Sequence, residues 1–120
     1  RTPSERLAIA RAFRGASILV LKGPQTFVAG GGMTPVWMNP TGHAGLATGG
    51  SGDFLAGMLG AVLARWAKGD RTDLEALRTW VASAVWLHGA AADTLGEGPL
   101  QVRDLGPALS RLLRERGVHA

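Results

Sequence analysis

Apolar residues recur along most of this chain with the period of a helix, interrupted in the first third by short runs that are apolar on both sides. Thr2-Pro3-Ser4-Glu5 combines an N-cap, a proline at the first helical position and a capping-box glutamate. With Leu7, Ala8, Ala10, Ala12 and Phe13 behind it, this predicts a helix over 3–14 ended by Gly15. Ile18-Leu19-Val20-Leu21 offers apolar side chains to both faces, as a buried parallel strand does. Thr26-Phe27-Val28-Ala29, the turn Gly30-Gly31-Gly32 and Pro35-Val36-Trp37-Met38 predict a hairpin. Residues 39–52 form a glycine-rich loop. Beyond it Phe54, Leu55, Met58, Leu59, Val62, Leu63 and Trp66 make one continuous helical stripe. Thr72-Asp73-Leu74-Glu75 reads as a second capping box, opening a helix that carries Leu77, Trp80, Val81, Ala84, Val85, His88 and Ala92 toward Leu95 and stops at Gly96 to Gly98. A weak extended piece at 100–102 precedes Asp104, the expected N-cap of a last helix bearing Leu105, Leu109, Leu112 and Leu113. The chain is therefore expected to be α/β. A doubly apolar strand needs neighbours on either side and helices above and below, and three strands are few for four helices, so part of the sheet is expected outside this segment.

Composition narrows the function. The 120 residues, 46% hydrophobic and 18% charged, belong to a globular domain. No apolar run approaches the roughly 20 residues of a membrane span, so no membrane role is expected, and a cytoplasmic location is. With no Cys there is no disulfide framework and no thiolate chemistry. The net charge of +4 is not a nucleic-acid signal, because eight of the thirteen basic residues (Arg1, Arg6, Arg11, Arg14, Arg103, Arg111, Arg114, Arg116) lie near the ends, as wet faces of terminal helices.

The unusual number is eighteen Gly. Five of them fall in the twelve residues from Gly42 to Asp53, immediately before the amphipathic helix. Glycine lets backbone approach a ligand, the free N–H groups of a first helical turn point outward, and the helix dipole favours negative charge there. Neither a Walker-type Lys-Ser/Thr nor a Gly-x-Gly-x-x-Gly turn is present. Asp53 stands where phosphate would sit. It serves either as an N-terminal partner of the helix dipole or as a general base that takes the proton of a hydroxyl attacking a phosphoryl group. His88, on its apolar stripe, reads as a hydrogen-bonded core histidine or, alternatively, as a support for the nucleotide loop, Asp93 as a local hydrogen-bonding residue, and His43 as the histidine to test for function. Trp37 is a candidate for an interface.

Leu21-Lys22-Gly23-Pro24-Gln25-Thr26, Asn39-Pro40-Thr41-Gly42, the run Gly45-Leu46-Ala47-Thr48-Gly49-Gly50-Ser51-Gly52-Asp53-Phe54-Leu55-Ala56-Gly57, and His88-Gly89-Ala90-Ala91-Ala92-Asp93 together resemble the ADP/ATP-dependent NAD(P)H-hydrate dehydratases of the ribokinase-like superfamily. The resemblance implies a three-layer α/β sandwich about twice this length, of which residues 1–120 would be the C-terminal half, with the N-terminal half of the same domain as its partner. It implies a lyase that restores NADH or NADPH from the hydrated coenzyme using ADP or ATP, with Mg²⁺ neutralising the phosphates, in a homo-oligomer. Carried over, Lys22, Gly23, Pro24, Gln25 and Thr26 would approach the nucleotide, Gly49, Gly50, Ser51 and Gly52 would cradle its phosphates, and Asp53 would touch the hydrated nicotinamide as base. Two readings from outside the family are a ribokinase-like kinase for a vitamin-precursor alcohol and a nucleotide-binding module without chemistry. His43-Ala44 replaces the family's usual Asn-Pro, and Phe54 its commoner Val.

Overall fold

The computed structural model describes residues 2–13, 17–47, 49–96 and 98–117, with the side chains of Met33 and Thr34 excepted. Its elements run α1 (Pro3–Ala12), β1 (Ile18–Leu21), β2 (Phe27–Gly30), β3 (Met33–Met38), a 3₁₀ turn (Ala44–Leu46), α2 (Ser51–Trp66), α3 (Leu74–Thr94), a second 3₁₀ turn (Val102–Asp104) and α4 (Leu105–Glu115). The capping box of α1 is formed as its sequence predicts: Thr2 accepts from the Glu5 amide, and the Glu5 side chain accepts from the Thr2 amide. The helix ends at Ala12, two residues early, and the expected terminator Gly15 lies outside the described residues.

The three strands form one antiparallel sheet in the order β1-β2-β3, with Val20 opposite Val28 and Val28 opposite Trp37. The hairpin is where the pattern put it. The parallel reading of β1 is corrected: only residues 22–26 connect β1 to β2, and a parallel crossover needs a dozen residues or more. The expectation that both faces of β1 are covered holds. Leu19 and Leu21 join Phe27, Ala29 and Val36 under Leu7 and Ala10 of α1. Ile18 and Val20 face the other way with Val28 and Trp37, against Leu55 of α2 and Leu77, Val81 and Val85 of α3. One helix above the sheet and two below make three layers of an α/β fold. On the far side of α3, Leu105 and Ala108 of α4 close a smaller core with Ala91, Ala92 and Leu100, against which Phe54 and Leu46 pack.

Three local expectations shift. Asp73, not Thr72, caps α3, accepting from the Ala76 amide at 3.0 Å. The Thr72 hydroxyl is instead held by Asp70 at 2.6 Å. Of the extended piece at 100–102, Gln101 is extended and Val102 already opens the 3₁₀ turn; Asp104 is the N-cap of α4 as expected, but in helical conformation and without a side-chain cap bond. Leu63 and Trp80, at the margins of their stripes, are exposed by 48% and 39%.

Candidate functional site

The turn after β1 and the glycine-rich loop before α2 meet at one end of the sheet. Arg6 holds the turn: its Nη2 donates to the carbonyls of Leu21 and Lys22 at 3.1 and 3.0 Å, while its guanidinium lies over the Phe27 ring. The loop is strapped to α3. Buried Asn39 donates from Nδ2 to the Val85 carbonyl at 3.3 Å, the Thr41 hydroxyl donates to Trp86 O at 2.8 Å, and the Gly42 amide donates to Asp93 Oδ2 at 3.0 Å. The loop lies so close to α3 that a Cβ on Gly89 would overlap Thr41. His43 completes the strap. Its Nδ1 accepts from the Gly45 amide at 3.0 Å, which assigns the proton to Nε2, and Nε2 donates to Ala92 O at 3.1 Å. Both ring nitrogens are thus engaged by backbone atoms, and His43 also lines the cavity described below.

The loop delivers Gly50 as N-cap of α2 in the left-handed region, at φ 90°, where glycine is favoured. Gly50 has no side chain with which to cap this helix, unlike Thr2 of α1 and Asp73 of α3. The amides of its first turn and the positive end of its dipole face a place where the Lys22 ammonium also stands, 2.9 Å from the position a Cβ on Gly52 would take. A cation against the positive end of a helix is repulsive by itself, and an anion between them reverses the sign. Below this turn Ser51 and His88 are both buried. His88 Nε2 lies 3.2 Å from the Ser51 carbonyl oxygen and 3.3 Å from its Oγ, with the Phe54 ring stacked beside the imidazole at 6.1 Å. Burial, and then the positive charge of Lys22, hold the His88 pKa below the ordinary histidine value, opposed in part by the bond to Ser51.

A cavity of about 440 Å³ opens here. Of the residues expected to bind nucleotide, Lys22, Gly23, Pro24, Thr26, Ser51 and Gly52 line it together. Gln25, Gly49, Gly50 and Asp53 do not, and all four are exposed, with Asp53 one residue beyond the cavity wall in the first turn of α2. Thr48 lies outside the described residues. Asn39, Thr41, His88 and Gly89 also line the cavity. His88 is read from its apolar stripe, but pattern and spacing assign Asn39 and Thr41 no task, because the backbone atoms they reach on α3 are 46 and 45 positions away.

An α/β layer structure whose glycine-rich helix start faces a lysine gathers positive potential at this end of the sheet. The sequence profile described as NAD(P)H-hydrate dehydratase matches residues 3–112, and the chain belongs to that family. It is 41% identical over 107 residues to the ADP-dependent (S)-NAD(P)H-hydrate dehydratase of Neisseria meningitidis serogroup B, covering 85% of this chain and 32% of that protein. It is 45% identical over 84 residues to the bifunctional NAD(P)H-hydrate repair enzyme Nnr of Gloeobacter violaceus, covering 70% of this chain and 15% of that one. With the ADP-dependent (S)-NAD(P)H-hydrate dehydratase of Bacillus subtilis it shares 40% identity over 80 residues, 64% of this chain and 25% of the relative. The chain thus spans a third or less of the length of these curated relatives.

Proposed function

We propose that this chain is the C-terminal part of a longer nucleotide-binding domain that dehydrates hydrated NADH or NADPH at the expense of ADP, with ATP as the variant donor. The observation that carries the reading is the Lys22 ammonium beside Gly52 at the start of α2, where the N-cap is Gly50, with a carboxylate, Asp53, next in the chain. Lys22 and the backbone of Gly23, Pro24, Gln25 and Thr26 approach the nucleotide, and the amides of Gly49, Gly50, Ser51 and Gly52 hold its terminal phosphates. Asp53 takes the proton of the coenzyme's ring hydroxyl as that oxygen attacks the terminal phosphorus, breaking the bond to the departing AMP when ADP is the donor. The ring C–O bond then breaks with phosphate as leaving group and loss of a ring proton restores the double bond. Asp53 is exposed outside the cavity, so the coenzyme is held between it and the preceding part of the domain. Among the described residues no group of three or more His, Asp or Glu could hold a metal ion, so in this reading Mg²⁺ enters on the nucleotide's phosphates and waters.

The test is Asp53→Asn in the complete domain, with turnover of hydrated NADH and ADP binding both measured. Removing a positioned base lowers kcat about 10²–10⁴-fold while ADP affinity is kept. Turnover within a few-fold of the parent would reduce Asp53 to a partner of the helix dipole.

A further inference from the structure

Ser51 is 2% and His88 7% exposed, and they meet at one ring nitrogen. A carbonyl oxygen only accepts, so the 3.2 Å contact between Nε2 and Ser51 O is a hydrogen bond in the tautomer that carries its proton on Nε2. A nitrogen whose hydrogen is spent on that carbonyl has no lone pair left for the Ser51 hydroxyl. The Oγ at 3.3 Å can take a share of the N–H, and its own proton goes elsewhere. Among the described residues the hydroxyl has no partner besides this ring. Ser51 is a wall of the cavity that Lys22 and Gly52 also line, so a buried O–H donor is left facing the place where the anion is held. A buried donor without an acceptor is costly, and a charged phosphate oxygen is a strong one.

We propose that His88 is a positioning residue of this site: its Nε2–H fixes the Ser51 carbonyl and thereby reserves the Ser51 hydroxyl proton for a phosphate oxygen of the bound nucleotide. The inference rests on the nucleotide reading above and adds to it the device that orients one of its donors. The stacked Phe54 ring limits rotation of the imidazole, at an interplanar angle of 25°. The depressed basicity of His88 keeps the ring neutral beside Lys22, and the neutral tautomer required is the one protonated at Nε2.

The complete domain is the material for the test. Imidazole ¹⁵N NMR of the unmutated protein reads the tautomer directly, and a protonated Nε2 is expected. An unprotonated Nε2 overturns the proposal without any variant, because the Ser51 hydroxyl would then donate to the ring. In ADP titrations His88→Phe, which keeps a ring beside Phe54 but no donor, weakens binding about tenfold or more, the range for one hydrogen bond to a charged group. His88→Gln, whose amide restores a donor, stays within about threefold of the parent. Ser51→Ala matches His88→Phe, and the double variant is no weaker than the worse single one. With saturating ADP, kcat of His88→Phe stays within about threefold while KM for ADP rises, a split that general loss of structure would not give. A parent that binds ADP with a His88→Phe variant that binds equally well, or losses that add, overturns this inference alone. A parent that binds no ADP overturns the nucleotide reading and this inference with it.

Discussion

At Gly89 a missing side chain sets the geometry of the site. Alanine is the better helix former by about 1 kcal/mol, yet its methyl group would collide with Thr41 and with the backbone at Gly42. Forcing an extra carbon into such a contact costs about 1–3 kcal/mol, so we expect Gly89→Ala to destabilise the fold and lift the loop from α3. Urea unfolding checks this, and a stability gain would show that the loop yields freely. His88 carries a pH signature. Its folded pKa lies below the ordinary 6.5, so on acidification from that value the unfolded chain takes up a proton that the folded ring resists. Stability from this group is complete above about pH 6.5, declines as pH falls toward the folded-state pKa and levels off beneath it. Comparing parent with His88→Gln by urea unfolding at several pH values isolates the term, and identical slopes would contradict it. That His88 is a hydrogen-bonded core histidine was legible from its place on the apolar stripe. The backbone role of His43 was not, because its partner Ala92 is 49 residues away.

The helices were legible because burial of one face imposes a period of 3.6, and the stripes from Leu55 to Trp66 and from Leu77 to His88 both lie on the described core. Their ends were legible only where one side chain had no competing bond. Thr2 and Glu5 form the box that the sequence spells, whereas Thr72 is diverted to Asp70, whose exposed carboxyl is held below the usual range by the Thr72 hydroxyl and amide. The cap of α3 therefore moves to Asp73. Asp73→Ala should cost about 1 kcal/mol in thermal or urea unfolding, and Thr72→Ala distinctly less. Equal losses would return the capping role to the pair. The strand β1 shows the same division: its two apolar faces announced two covering layers, but its direction followed from the length of the turn at 22–26, a matter of chain reach rather than of hydrophobicity.

On the scale of the whole molecule, β1 pairs only with β2 among the described residues, and apolar side chains such as Met38 and Leu63 are about half exposed, at 49% and 48%. A chain that leaves a strand edge and apolar side chains of this kind exposed should associate, with itself or with a further segment that covers them. Sedimentation of the isolated segment is expected to show species larger than a monomer, and a compact, stable monomer would contradict it. The sequence by itself determined the α/β class, the helices, the hairpin, the glycine-rich approach to α2 and the family, since each is written in short-range period, turn chemistry or a contiguous motif. Only the tertiary structure decided that β1 runs antiparallel to β2, that Lys22 stands against Gly52, that Asp53 lies outside the cavity wall, and that α3 straps the loop through Asn39, Thr41, Gly42 and His43. Those facts are distances between residues remote in the chain, set by how three layers pack, and a local pattern carries no record of them.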